Sequence, residues 1–456
     1  MAQIGLFSSV LYILFTICFS FIFKKQVWKA LLVGSMLTIG IFMPLTLFFF
    51  LVGSGITYWM GNKIQSSFPW IGLGIGILIG FLIVYKLKES WIDHINLLEV
   101  NFWENTGIWQ IVGLSFFVFN AVSYLMDIRR RFIKPADSFF KLMLYLLYFP
   151  TLHAGPLHRF SYLNEQFDQA NISEKSFSNG MRLILWGLFK NFVLAQRLNQ
   201  LLITLRGSEI GGWWTLLIGC LFFFYIYFSF SSFIDFFQGV SEIFNVRLKD
   251  NFHKRIYFSR NRHEFWRGWH ITLNEWFRDY FFYWQIKFQF WRNKPYLLLL
   301  LTYMLIGLWH GISWQYLLWG FMNGLWILLE KALKVHKLKQ GGLLKQSMGI
   351  VYHILGCSFI ALVFIYPTLG DLWNKIQMPT YFPMEVWFLH WRNICIFLMM
   401  FLLVDLYNFW SKDERMDSFL ESLSPWKRRL IYTQLVLSLF VFGDFTGGLN
   451  NYYLAF

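Results

Sequence analysis

Residues 4–25 read IGLFSSVLYILFTICFSFIFKK, an apolar run closed by two lysines. A helix that crosses a bilayer needs about 20 mostly apolar residues, and this stretch supplies them. A signal peptide carries its basic residues before the apolar run and a small-residue cleavage site after it. Here the order is reversed, which predicts an uncleaved first span. The same length test is met at residues 30–53, 69–86, 107–127, 180–203, 211–234, 295–310, 312–332, 350–369, 384–409 and 427–444. The expectation is an all-α polytopic membrane protein of about eleven spans. Residues 138–152 and 233–246 are apolar but short or interrupted, and read as re-entrant pieces.

Composition agrees. Of the 456 residues 57% are hydrophobic, 22% aromatic and only 14% charged, too little charge to cover a soluble globule. The formal charge of +15 fits Lys and Arg gathered in cytoplasmic loops and argues against a nucleic-acid partner. Lys24, Lys25 and Lys29 place the first loop in the cytoplasm, and Lys86 and Lys88 agree. Arg129, Arg130, Arg131 and Lys134 fit only with an extra re-entrant piece before them. No Pro/Gly/Ser-rich linker and no internal repeat divides the chain, so a single transmembrane domain over residues 1–456 is expected. Cys18, Cys220, Cys357 and Cys395 lie in apolar runs without CxxC spacing. They read as buried inert thiols, with no disulfide framework and no metal site.

Residues 247–294 stand apart. Eleven Lys/Arg face four Asp/Glu there, among Phe265, Trp266, Trp269, Trp276, Phe277, Tyr280, Phe281, Phe282 and Tyr283. This mixture predicts an amphipathic helix pair at the cytoplasmic interface, with long basic side chains reaching to water.

Histidine is the natural carrier of proton chemistry near neutral pH. His310, in Leu308-Trp309-His310-Gly311, lies at the junction of two apolar runs. An ionisable group at membrane depth is costly and usually faces a cavity or partner. His270 lies within Glu264 to Tyr280. If that run is one helix, His270, Asn274 and Arg278 form a polar stripe beside a wall of Trp269, Trp276 and Tyr280. His153 and His158 flank Gly155-Pro156 at a turn. His94, His253, His263, His336, His353 and His390 are isolated. The chain has no HExxH, no GxSxG elbow, no P-loop and no GxGxxG opening a helix.

The run Ser259-Arg260, then Glu264 through Tyr280, followed by Gly307-Leu308-Trp309-His310-Gly311, resembles the signature of the bacterial membrane-bound O-acyltransferase (MBOAT) family. That signature is close to SR-x-x-x-EFWRRWHISLSxWFRDY, then GLWHG. Gly268 stands where the family has arginine, and Asn274-Glu275 where it has small residues. Phe149-Pro150-Thr151 to Gly155-Pro156 with Arg159, Tyr227 to Asn251, and the ending Phe442-Gly443 to Phe456 extend the resemblance along most of the chain. The short stretch between Asp279 and Trp291 resembles the D-alanyl-transferring branch. Val122-Ser123-Tyr124 to Asp127 resembles the acetyl-transferring one.

The resemblance implies one MBOAT-type domain with its signature and catalytic region at 247–330, and helices arranged around a central funnel or tunnel. It implies His310 as the essential histidine and His270 as the second. Trp269, Asn274, Trp276, Arg278, Asp279 and Trp309 are the expected substrate-binding residues. Lys254, Arg255, Arg260 and Arg262 are expected to dock an anionic donor by electrostatic steering. That donor is a phosphopantetheine thioester, on an acyl carrier protein or as acetyl-CoA, with no permanently bound cofactor. The acceptor is a hydroxyl of an extracytoplasmic glycan or polymer, reached directly or through a small or extracytoplasmic acyl-relay protein. Membrane lipid is the surrounding partner, and the place is the bacterial cytoplasmic (inner) membrane. Two rivals remain: a transporter or flippase for an anionic lipid-linked glycan, and a scaffold that anchors a partner enzyme.

Overall fold

In a computed structural model the chain is almost wholly helical. The structure describes residues 2–63, 69–95, 111–152, 155–208, 210–335, 342–366, 368–379, 384–411 and 415–446. The expectations placed on His153, His336 and the ending 447–456 lie outside the described residues. Among the described residues no named strand forms, and one isolated antiparallel bridge pairs Phe252 with Trp269.

Among the described residues, five helices are long and apolar enough to cross a membrane: Gly5–Phe23, Pro44–Lys63, Gly212–Glu242, Leu343–Ile365 and Met384–Trp410. Val27–Phe42, Gly72–Leu87 and Pro295–His310 are shorter apolar helices. Helices also occupy Leu114–Arg129, Trp314–Ala332 and Pro425–Phe442, where spans were expected. Large apolar side chains such as Phe21, Ile22, Phe388, Leu389 and Phe440 point outward, which suits a chain whose solvent is lipid. The chain is a multi-pass membrane protein.

The structure corrects several details. The run 30–53 is not one span: Val27–Phe42 ends at Met43 and Pro44–Lys63 begins anew. Proline disfavours the helical region in the residue before it and donates no hydrogen bond, and Met43 sits at φ −146°. The piece at 138–152 forms two short helices, Phe139–Leu147 and Phe149–Leu152. Most of 233–246 simply continues the helix Thr215–Glu242. The expected amphipathic pair at 247–294 is instead a series of short helices, including Arg262–Gly268 and Ile271–Trp276. Cys18 and Cys395 are exposed, and only Cys357 is buried.

Though no linker marks the sequence, packing parts the chain into two compact units. The first holds Met1–Ile184 and Phe236–Lys249. Its centre is aromatic: Tyr12 stacks on Phe149 at 5.0 Å and meets Phe244 edge-on at 5.9 Å. Tyr148 and Ser241 share a buried hydroxyl hydrogen bond of 2.7 Å. His158 is buried, and its Nε2 accepts from the Lys249 N–H at 2.9 Å.

The second unit holds Leu185–Asp235 and Asp250–Phe456. There the buried Lys190 ammonium is ion-paired with Asp235 and donates to Ser231 at 3.0 Å. In the same unit, Pro295–His310 and Trp314–Ala332 pack backbone to backbone. A Cβ on Gly307 would run into the Tyr316 carbonyl, and one on Gly320 would meet the Tyr303 carbonyl and lie 2.9 Å from Met304 Cα. Neither obstacle is a flexible side chain, so the helices themselves would have to separate. Overpacking of this kind costs about 1–3 kcal/mol. Gly320→Ala should therefore lower the melting temperature in detergent by several degrees. Gly55→Ala, with nothing within 4 Å of the added methyl, should leave it unchanged. Equal melting of both variants and the wild type would show that this contact does not limit stability.

Candidate active site

Two helices meet at His270. Asn261 opens the first, Arg262–Gly268, by accepting from the Glu264 N–H at 2.8 Å, and Arg260 holds the Glu264 carboxylate at 2.9 Å. The helix stops at Gly268, where a Cβ would fall 2.6 Å from Ile256 and 2.8 Å from His253 Cβ. That crowding accounts for a glycine here, where the family signature has arginine. The chain then runs extended through Trp269, and the His253 N–H donates to the Gly268 carbonyl at 2.9 Å.

His270 takes the left-handed conformation, φ +46° and ψ 52°, directly before Ile271–Trp276. A non-glycine residue is uncommon there, at a cost of roughly 1–2 kcal/mol. Such a conformation persists only where surrounding contacts enforce it. The expected stripe of His270, Asn274 and Arg278 on one helix is thus broken, because the helix starts after His270. Asn274 instead uses its amide N–H groups on the carbonyls of Trp266 (3.1 Å) and Trp269 (2.6 Å). It ties the two helices together.

The contacts enforcing His270 converge from Asn251. The Asn251 carbonyl accepts from the Ile271 N–H at 3.0 Å. Its Oδ1 accepts from the Thr272 N–H at 3.0 Å and the Thr272 hydroxyl at 2.9 Å. That fixes the amide, so its Nδ2 faces His270 Nδ1 at 3.2 Å. The network therefore assigns Nδ1 as acceptor and Nε2 as the protonated nitrogen. His270 is buried, with Phe230 edge-on at 4.9 Å and Trp309 at 6.1 Å.

His310 is the last residue of Pro295–His310 and is buried. Its imidazole lies 4.7 Å from Trp309, 5.3 Å from Trp319, 5.4 Å from Phe364 and 6.4 Å from Tyr316, centroid to centroid. The following Gly311 is needed for this box, since a Cβ would strike the Tyr316 ring. Trp309 touches both histidine rings and links them.

Two cavities are lined by neighbours of these residues, though not by His270, His310 or Trp309 themselves. The larger, about 590 Å³, has an apolar interior that includes Phe277, Leu299, Tyr303, Ile306 and Ile327. His253, His263, Arg267 and Arg278 also line it, together with Asn274 and Glu275. The smaller, about 50 Å³, is walled by Trp319 and Phe364, the rings that enclose His310, and by Trp269, Arg262 and Cys357. Trp266 lines both.

The remaining expected residues fall in different places. Arg278 pairs with Asp279 at 2.8 Å. Trp276 packs on Tyr280 at 5.6 Å, while Trp269 turns away to stack on Phe265 at 5.2 Å, so the expected three-residue wall is split. The four basic docking residues are all engaged. Lys254 donates to Ser411 at 2.6 Å, and Arg255 grips Asp405 at 2.8 and 3.0 Å. Arg260 holds Glu264. Arg262 is corrected outright: at 3% exposure it cannot meet a soluble donor at a surface. Its guanidinium donates to Asn323 Oδ1 and to Cys357 Sγ (3.0 Å), and its backbone N–H to Glu330. Sequence reasoning missed Asn251, Tyr316, Trp319, Asn323, Glu330 and Phe364. Among the described residues, no group of three His, Cys, Asp or Glu is placed to hold a metal ion.

Comparison with known proteins gives a consistent result. Residues 134–366 match the family model described as MBOAT, membrane-bound O-acyltransferase family. The chain is 30% identical over 310 residues to the probable alginate O-acetylase AlgI of Azotobacter vinelandii, a match covering 65% of this chain and 60% of that protein. It is 29% identical over 329 residues to a peptidoglycan O-acetyltransferase of Helicobacter pylori, covering 63% and 60%. A teichoic acid D-alanyltransferase of Bacillus subtilis is 28% identical over 231 residues, covering 47% and 57%. The chain thus spans about three-fifths of the length of the curated relatives it matches.

Burial sets the protonation of His270. It pushes the imidazole down to about 3, and burial followed by the Lys249 charge does the same for His158, also to about 3. In the unfolded chain histidine titrates near ~6.5. Between these values the unfolded state binds more protons, so stability is fully present above about pH 6.5 and falls as pH drops toward about 3. His270→Asn keeps a residue that tolerates the left-handed conformation. It should flatten the acid limb of melting temperature against pH relative to the wild type. An unchanged slope would mean that His270 is already charged in the folded protein.

Proposed function

The chain belongs to the membrane-bound O-acyltransferase family, and on that premise we propose that it moves a small acyl group, D-alanyl or acetyl, from a cytoplasmic phosphopantetheine thioester to a hydroxyl of an extracytoplasmic cell-envelope polymer. Transfer is direct or runs through a relay protein, and the place is the bacterial cytoplasmic membrane. The observation that carries this reading is His310, enclosed by four aromatic rings and linked through Trp309 to His270. It lies at the end of a helix that lines a 590 Å³ chamber, a volume usual for small-molecule sites.

A thioester is already activated, whereas a hydroxyl is a poor nucleophile until a base takes its proton. His310 takes that proton as the hydroxyl oxygen attacks the thioester carbonyl. The tetrahedral intermediate then collapses, the carbon–sulfur bond breaks, and the imidazolium returns the proton to the leaving thiolate. Base catalysis of this kind contributes about 10²–10⁴-fold. His270, protonated at Nε2, is suited to donate a hydrogen bond rather than to accept a proton. The apolar interior suits a pantetheine arm. Arg267 and the histidines at the chamber suit the anionic end of the donor or a carrier protein.

Membranes containing the wild type or His310→Ala, given labelled acetyl-CoA or a D-alanyl-charged carrier protein, test the reading. The wild type should pass label from one donor to extracytoplasmic material, and the variant should be slower by about 10²-fold or more. Equal transfer by the variant removes His310 from catalysis. No transfer from either donor by the wild type favours the transporter.

A further inference from the structure

We infer that the small cavity between Trp266, Trp319, Phe364, Ile360 and Arg262 is the acyl subsite, and that it admits short uncharged acyl groups while rejecting an aminoacyl group. The inference rests on the acyltransferase reading above and selects within it. Three observations support it.

The first is position. Trp319 and Phe364 wall the cavity and also pack on His310. A group held there shares these two rings with His310, the residue proposed to act on the acyl carbon, which does not itself line the cavity. Trp266 belongs to both cavities, so a thioester extending from the large chamber past Trp266 brings its acyl end into the small one. The Trp266 indole is buried, and its N–H has no hydrogen-bond partner among the described residues. A buried donor without a partner is unfavourable, and a thioester carbonyl at this partition would provide the acceptor.

The second is size. The cavity is about 50 Å³, where a single water needs about 10–15 Å³ of such space. An acetyl group, two carbons and an oxygen, fits that allowance. A D-alanyl group adds a methyl and an ammonium.

The third is charge. Arg262 lines the cavity and is fixed there by Asn323 and Cys357. Its guanidinium lies against the rings of Phe265, Trp326 and Trp266 at 4.4, 4.9 and 5.2 Å. Nearby Glu330 is occupied with the Arg262 backbone N–H and is not part of the cavity wall. An incoming ammonium would meet a fixed like charge beside buried rings, where such repulsion is screened less than in bulk water. A neutral acyl group would not.

The test is acyl-chain selectivity in membranes carrying the wild type, Ile360→Ala or Ala361→Leu. Both positions line the cavity. The donors are acetyl-, propionyl- and isobutyryl-thioesters, together with the D-alanyl thioester, which has nearly the shape of isobutyryl but carries a charge. The wild type should prefer acetyl over isobutyryl and over D-alanyl by about tenfold or more, as one methylene in an apolar pocket is worth about 10–200-fold. Ile360→Ala should gain isobutyryl transfer by about tenfold and still refuse D-alanyl. Ala361→Leu should lose propionyl transfer before acetyl transfer. Should Ile360→Ala fail to fold, Ala361→Leu alone decides the size claim, and the wild type's D-alanyl rate decides the charge claim. Unchanged selectivity in active variants, or D-alanyl transfer matching acetyl in the wild type, overturns the subsite while leaving acyl transfer intact. A wild type that transfers no acyl group overturns the acyltransferase reading itself.

Discussion

The four hydrogen bonds converging on Asn251 hold the centre of this site together. Its backbone carbonyl, Oδ1 and Nδ2 reach Ile271, Thr272 and His270. These bonds allow the chain to reverse at His270 with a left-handed residue and then restart a helix. They act together with the His253 N–H bond to the Gly268 carbonyl and the Phe252–Trp269 bridge, which hold the extended stretch before the reversal. Because Thr272 fixes which end of the amide faces the imidazole, the same residue that sets the backbone also sets the proton on His270.

A buried charge secures the neighbouring wall. Removing a guanidinium from water is costly, and a buried ion pair is weak evidence for stability in itself. What Arg262 provides is geometry. It gathers Asn323 and Glu330 from Trp314–Ala332 and Cys357 from Leu343–Ile365 onto the start of Arg262–Gly268. Glu330 accepts from the Arg262 N–H, one of the donors that a helix start leaves unsatisfied. Trp266, one turn along, is thereby placed between the two cavities.

Much of this architecture was legible in the sequence, and the reasons for success and failure differ. Apolar length is a local property, so the spans at 4–23, 295–310 and 384–409 coincide closely with Ala2–Phe23, Pro295–His310 and Met384–Trp410. The break at Met43 was also written locally, in Pro44, but a hydropathy reading is blind to it. His310 could be singled out because a lone histidine between two apolar runs is anomalous wherever the fold places it. Arg262 could not be read correctly, because a charge in a basic stretch looks like a surface. Its partners Asn323 and Cys357 lie 61 and 95 residues away. The helical stripe expected to join Asn274 to His270 did not form, for a similar reason. Helical spacing put Asn274 beside His270, but the turn enforced from Asn251 directs its amide back to the carbonyls of Trp266 and Trp269.

The aromatic richness of this chain gains a physical role under the proposed reaction. Water competes with any hydroxyl acceptor for an activated acyl group, and a histidine able to deprotonate one can deprotonate the other. His310 is enclosed by Trp309, Trp319, Phe364 and Tyr316, and Gly311 lets Tyr316 close against the backbone. These rings replace water around the imidazole with aromatic surface, and exclusion of water is one recognised way to prevent hydrolysis of a reactive group. The polar groups nearby are held by other partners: Asn274 by carbonyls, Arg262 by Asn323 and Cys357. A hydrolase would gain from an open, hydrated histidine. A transferase needs one that meets only the acceptor delivered to it, and the enclosure of His310 is of that second kind.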